Sequence, residues 1–192
     1  MTRTNRGGPR ITRVQASAYR IPTDGPEADG TFAWDATTLV VVHAEAGERW
    51  GVGYTYADAS VASLIHGPLA NAIDGRDCFD IPGSWMAMQR SVRNLGRSGL
   101  AACAISAVDE ALWDLKARTL DLPLATLLGR CRDRVPIYGS GGFTTYSADQ
   151  VRTQLSSWVE TRRLPLRQDE GRQRARARSA TGGGSKIGHR RP

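Results

Sequence analysis

The chain has 192 residues, 40% hydrophobic and 23% charged, proportions of a soluble globular protein of one domain, or one and a half, and not of a disordered or fibrous one. No apolar run approaches the roughly 20 residues that span a bilayer. The four arginines between Met1 and Arg13 are followed by neither an apolar stretch nor a small-residue cleavage site, so a cytoplasmic protein without a secretory signal is expected.

The formal charge of +7 sits at one end: residues 1–160 carry 16 Lys and Arg against 17 Asp and Glu, whereas residues 161–192 carry 10 against 2. Those last 32 residues hold only Leu164, Leu166 and Ile187 as large apolar side chains, too little burial to offset chain entropy. Residues 161–192 are therefore expected to be a disordered basic tail, and residues 1–10 a disordered N-terminus. Cys78, Cys103 and Cys131 are odd in number and form no C-x-x-C pair, so they read as small buried apolar residues and not as a disulfide or zinc framework.

In chain order, Ile11 to Ile21 has extended character, and Pro22-Thr-Asp-Gly-Pro-Glu-Ala-Asp-Gly30 follows as a loop whose turn residues cannot continue a strand. Thr37 to Ala44 is β-branched and apolar, Gly47 marks a turn, and Trp50 to Tyr56 is extended again, which gives a three-stranded antiparallel meander. Val61, Leu64, Ile65, Leu69 and Ile73 then recur at helical spacing up to Gly75, and a second helix covers Trp85 to Leu95. The clearest helix runs from Leu100 to about Leu120, with Ala104, Val108, Ala111, Leu112 and Leu115 on one stripe. Pro123 opens a short helix to Leu128, closed by Gly129. Val135 to Ser140 reads as a short strand entering a glycine-rich loop, and Ser147-Ala-Asp-Gln150 is a capping box for a helix to about Glu160.

The segment Ala104-Ile-Ser-Ala-Val-Asp-Glu-Ala-Leu-Trp-Asp-Leu-Lys-Ala-Arg-Thr-Leu-Asp-Leu-Pro-Leu-Ala-Thr-Leu-Leu-Gly129 closely resembles the signature of the mandelate racemase and muconate lactonizing group of the enolase superfamily, over 26 positions with spacing intact. The resemblance covers roughly residues 10–160. It implies an α+β fold: an enolase-type capping domain over residues 11–133, made of the meander and a helical bundle, followed at 134–160 by the first strand and helix of a truncated (β/α)8 barrel. It also implies the family's chemistry, abstraction of a proton next to a carboxylate by a Lys or His base, with Mg2+ stabilising the enediolate. Racemase, acid-sugar dehydratase and cycloisomerase remain open alternatives, with a small carboxylate as the substrate partner.

A whole barrel takes about 250 residues, so most of it lies outside this sequence. The only lysines are Lys116 and Lys186, and nothing in residues 161–192 resembles the family's Lys-x-Lys strand, its metal-binding carboxylates or its His-Asp pair. No catalytic residue and no metal ligand is therefore assigned, and the chain is expected to be inactive alone. The genetic code offers an account of the tail. Read one base later, Gln168-Asp169-Glu170-Gly171 is forced to give Lys or Arg, Met or Thr, then Lys or Arg. With permitted codons, Arg163 to Arg172 becomes Gly-Phe-Arg-Cys-Val-Lys-Met-Lys-Val-Gly, which looks like the family's second barrel strand, so an out-of-frame tail is expected.

In this family the loop after the first strand and the turn after the third close over the barrel mouth and help to select substrate. By position these are Thr23 to Trp34 and Gly53 to Tyr56, and Glu27, Asp29, Phe32, Trp34, Tyr54 and Tyr56 are the candidate ligand contacts; the alternative is that they are solvated loop residues. Tyr138 and Ser140, near the end of the expected first barrel strand, are two further candidates. His43 and His66 lack a matching ligand set and read as structural, and Asp109, Glu110 and Asp114 as solvated or capping carboxylates of the signature helix. A different class of function, a small nucleic-acid-binding protein using the arginine-rich tail on phosphates, is the alternative, although the tail interleaves no aromatic residues. The isolated chain is expected to be a homo-oligomer or an aggregation-prone fragment, because the first barrel strand lacks its neighbours.

Overall fold

The computed structural model describes residues 7–160. The expected basic tail and the first six residues of the expected disordered N-terminus lie outside the described residues. The described residues divide into two compact units, one holding residues 7–22 and 36–133, the other 23–35 and 134–160. Residues 23–35 thus group with the second unit, where the sequence placed them in the capping domain.

The sheet is a meander of β1 (Ile11–Ala28), β2 (Ala33–Ala46) and β3 (Arg49–Tyr56) in the order β1-β2-β3. β2 and β3 pair antiparallel, with Val42 opposite Gly53 and Ala46 opposite Arg49. The period of two along β2 puts Val40, Val42, Ala44 and Ala46 in the core. Two expectations fail here. Pro22 to Ala28 is strand and not loop, because β1 is a border strand on which the missing N–H of Pro22 and Pro26 breaks no essential ladder. Gly53 to Tyr56 is the end of β3, in line with the extended reading of Trp50 to Tyr56, and not the turn that position in the family implied.

The helical layer begins with α1 (Val61–Leu64), a widened π-type turn (Ile65–Leu69) and α2 (Ala70–Ile73). The wide turn contains Pro68, whose missing N–H cannot donate to a regular helical ladder. His66 Nε2 accepts the Ala16 amide at 2.9 Å, a structural role. α3 (Ile81–Ser91) starts four residues before the predicted helix, where Asp80 accepts the Gly83 amide as its N-cap. α4 (Ala102–Thr119) buries Ala104, Ala107, Val108, Ala111, Leu112 and Leu115. It ends with the Leu122 amide donating to the Ala117 carbonyl at 2.9 Å, while Asp121, at φ 54°, takes the left-handed position. α5 (Leu124–Leu127) follows.

β3 and α4 fit backbone to backbone. A Cβ at Gly51 would overlap the Ala111 carbonyl and the Leu115 amide nitrogen, and one at Gly53 the Ala107 carbonyl. Two carboxylates of α4 use this approach: Glu110 accepts the Tyr54 amide at 3.0 Å and Asp114 the Val52 amide at 2.8 Å. A rise of about 6 Å between helix positions i and i+4 matches the roughly 6.7 Å between strand positions i and i+2. Lys116 donates to the Phe79 carbonyl at 3.2 Å with its ammonium over the Phe79 and Trp113 rings.

The expected disorder of residues 1–10 does not extend to Gly8, Pro9 and Arg10. The Gly8 amide donates to Asp77, and the Pro9 carbonyl accepts from Cys78 at 3.0 Å. Of the cysteines only Cys78 is fully buried; Cys131 is exposed, because it follows the last turn of the helical layer. Burial, with Asp77 alongside, pushes the Cys78 thiol up from its ordinary value.

In the second unit residues 135–140 form no strand; Gly139 alone makes a bridge. A barrel strand draws its ladder from strands on both sides, which the described residues after it do not include. α6 (Ala148–Glu160) opens on the predicted capping box, with the Ser147 amide donating to Gln150 Oε1 at 2.8 Å and the Gln150 amide to Ser147 Oγ at 3.2 Å. No helix among the described residues is long and apolar enough to cross a membrane.

Candidate functional site

The candidate residues of the β1–β2 hairpin occupy its tip. Gly30, at φ 105°, takes the first central position of a two-residue turn, a conformation that favours glycine. Asp29 closes the turn: its Oδ1 accepts the Thr31 amide and hydroxyl, both at 2.8 Å, and the Phe32 amide at 3.0 Å. These hydrogen bonds, the Thr31 amide first, hold the Asp29 carboxyl below its ordinary value. Asp29 is thus a builder of the tip, whatever else it contacts.

Glu27 and Trp34 face each other across the hairpin, with the indole N–H donating to Glu27 Oε2 at 2.7 Å. That bond fixes the carboxylate and leaves Oε1 with acceptor capacity for a hydroxyl. Phe32 stacks beside Trp34 at 6.2 Å between centroids and is 69% exposed, an apolar surface at the extremity of the tip.

The loop after Ser140 supplies partners that the sequence did not single out. The Phe143 ring meets Trp34 edge to face at 5.5 Å and Tyr146 at 5.4 Å. The Thr144 amide and hydroxyl donate to the Ala28 carbonyl at 2.9 and 3.0 Å, and the Thr145 hydroxyl donates to the Pro26 carbonyl at 2.7 Å. The loop is held in turn by α6, since the Gly142 amide donates to Gln154 Oε1 at 3.0 Å and the Trp158 ring packs against Gly139 and Gly141. Phe143-Thr-Thr-Tyr146 could have been noticed as aromatic residues flanking two hydroxyls, but the carbonyls its threonines engage lie 116 and 119 positions away.

Of the other candidates, Ser140 and Tyr138 are exposed on the 135–140 segment, close in sequence to the Phe143 loop. Tyr54 and Tyr56 belong to the first unit: they lie on one face of β3, 6.4 Å apart and edge to face, and both are exposed. The structure thus brings Glu27, Asp29, Phe32 and Trp34 together in one tip and pairs Tyr54 with Tyr56. Elsewhere in the first unit, an open groove of about 400 Å3 beside Trp50 is lined by Arg49, Arg118 and Leu122 and contains no candidate residue. Among the described residues no three of His, Cys, Asp and Glu are grouped as they would be around a metal ion.

Comparison with known proteins gives a consistent set of likenesses. The family description "Mandelate racemase / muconate lactonizing enzyme, N-terminal domain" matches residues 20–129. A 3,6-anhydro-alpha-L-galactonate cycloisomerase of Streptomyces coelicolor is 33% identical over 155 residues, which cover 78% of this chain and 43% of that protein. A mandelate racemase/muconate lactonizing enzyme-like protein from Rubrobacter xylanophilus matches in structure with a TM-score of 0.76 and 51% identity, over 79% of this chain and 42% of its own. L-talarate/galactarate dehydratase from Salmonella typhimurium, liganded with Mg and L-lyxarohydroxamate, matches with a TM-score of 0.72 and 29% identity, over 94% and 50%. The chain therefore spans about two fifths to one half of the length of these relatives.

Proposed function

The chain belongs to the mandelate racemase and muconate lactonizing enzyme family, and on that premise we propose that it supplies the substrate-selecting cap of an enzyme that abstracts the proton alpha to a carboxylate. An acid sugar, a small polyhydroxylated carboxylate, is the substrate class, as suggested by the names of the cycloisomerase and the dehydratase it resembles. The observation that carries this reading is the pre-set pair at the hairpin tip, a Glu27 carboxylate held by the Trp34 indole with one oxygen left over.

Each residue has a physical task. Glu27 Oε1 accepts a substrate hydroxyl and repels a carboxylate, so it favours binding with the polyol portion toward the tip. Phe32 and Trp34 exclude water from that portion, Tyr138 and Ser140 of the same unit offer hydroxyls to a ligand, and Tyr54 and Tyr56 of the first unit are candidates taken separately. In the family a divalent metal supplies the charge that stabilises the enediolate. The described residues do not fit such a site, because they hold no carboxylate cluster, so proton abstraction and metal binding are assigned outside them. A cytoplasmic location suits such a metabolic role.

The same reading takes residues 161–192 as an out-of-frame translation, in which Arg163 to Arg172 stand where the shifted frame encodes the second barrel strand. Sequencing the gene from codon 150 onward tests this: a shifted frame running through Lys-Met-Lys into acidic strand ends is expected, and its absence would leave the basic tail as encoded. The activity is tested by incubating acid sugars in D2O with Mg2+ and following loss of the alpha-proton signal by NMR. No exchange is expected with this chain alone, and exchange is expected once a separately expressed barrel from the restored frame is added. Exchange that is indifferent to the added cap would remove its role.

A further inference from the structure

We propose that Phe143, Thr144 and Thr145 are positioning residues that fasten the β1–β2 hairpin tip and thereby set where the Glu27–Trp34 pair stands.

The argument starts from the border of the sheet. Among the described residues no strand lies on the outer side of β1, so carbonyls two residues apart, those of Pro26 and Ala28, point outward together. Both are taken by the loop after Ser140, through the Thr145 hydroxyl at 2.7 Å and through the Thr144 amide and hydroxyl at 2.9 and 3.0 Å. The two threonines thus extend the border by one short segment, without a strand of their own. Phe143 adds a contact of another kind, its ring edge-on to Trp34, the side chain that holds Glu27. The loop is itself anchored on α6 through Gln154 and Trp158. A chain of contacts therefore runs from α6 through the loop to the Glu27 carboxylate.

The significance for substrate selection rests on the reading given under Proposed function; the fastening does not. It is measured without substrate or metal, so failure of either leaves the other standing. The probe is the exchange with water of the Trp34 indole N–H, assigned by its loss in Trp34→Phe, together with the amides of residues 29–32, in the whole chain by NMR. Thr145→Val keeps the shape of an exposed side chain and removes its hydroxyl, and Phe143→Leu keeps bulk and removes the ring edge. Each is expected to speed exchange at the tip at least tenfold while residues 40–44 of β2 and the Trp113 indole are unchanged, and Thr145→Ser is expected to restore the wild-type rate. Unchanged tip exchange in both variants would overturn the proposal. So would a uniform rise across the chain in Thr145→Val, which would make the contact a general support of the fold, or a failure of Thr145→Ser to rescue.

Discussion

The interface of β3 with α4 and the tip of the β1–β2 hairpin solve the same problem by different means. In both, border strands carry outward polar groups that no other strand satisfies. Against β3 the solution is close packing: glycines let the helix approach, alanines fill the contact, and Glu110 and Asp114 take the free amides. At the tip it is a set of exposed hydroxyls and rings on a loop. The first arrangement tolerates almost no change in volume, and the second leaves side chains available for a ligand.

The largest effect is expected where backbones nearly touch. Gly53→Ala forces β3 away from the Ala107 carbonyl and is expected to remove about 3 kcal/mol of stability, read from urea unfolding followed by circular dichroism. Asp114→Ala leaves the Val52 amide without its acceptor and frees Arg118, an expected loss of about 1–2 kcal/mol in the same measurement. If Gly53→Ala proved no more harmful than an exposed hairpin substitution, the contrast between the two regions would collapse.

Asp109 sharpens the comparison with an opposite sign. Half-burial on α4 raises its carboxyl above the ordinary value of 3.8, against a smaller lowering by Trp113. The folded chain then holds this proton more tightly than the unfolded one, so stability falls as pH rises from 3.8 through the raised value. Asp109→Asn is expected to raise the Tm at neutral pH and to flatten that part of the pH profile. The smallest effect belongs to the tip. The lowered carboxyl of Asp29 contributes stability above 3.8 that is lost as pH falls through its folded value. Asp29→Ala is expected to leave the Tm nearly unchanged and to speed amide exchange at Thr31 and Phe32, where its oxygen is lost.

The close-packed region was the more legible in sequence. Apolar spacing located α4, a β-branched apolar run located β2, and, outside that region, Ser147 with Gln150 located the start of α6, because each pattern lies within a few consecutive residues. Pro22, Gly25 and Pro26 misled, since turn-forming composition is also what a border strand tolerates. Trp50 to Tyr56 was legible as extended, and only the turn assigned to Gly53–Tyr56 by position in the family fails, because β3 continues to Tyr56. Glu27 and Trp34 were candidates by position in the loop the resemblance marks out, whereas Phe143 to Thr145 were not, because the contacts that give them meaning are distant in sequence.

A three-stranded sheet offers two templates for strand-on-strand polymerisation. Here neither is open. A foreign strand docking on β3 would meet the negative charges of Glu110 and Asp114, and one docking on the outer half of β1 would find no amide at Pro22 or Pro26 and the outward carbonyls of Pro26 and Ala28 already engaged. Fibril-like growth from the meander is thereby blocked by the chemistry that orders it. Self-association of this chain is then expected to begin at Val135 and Ile137, 72% and 61% exposed and outside any ladder, and Ile137→Lys should suppress it in sedimentation velocity.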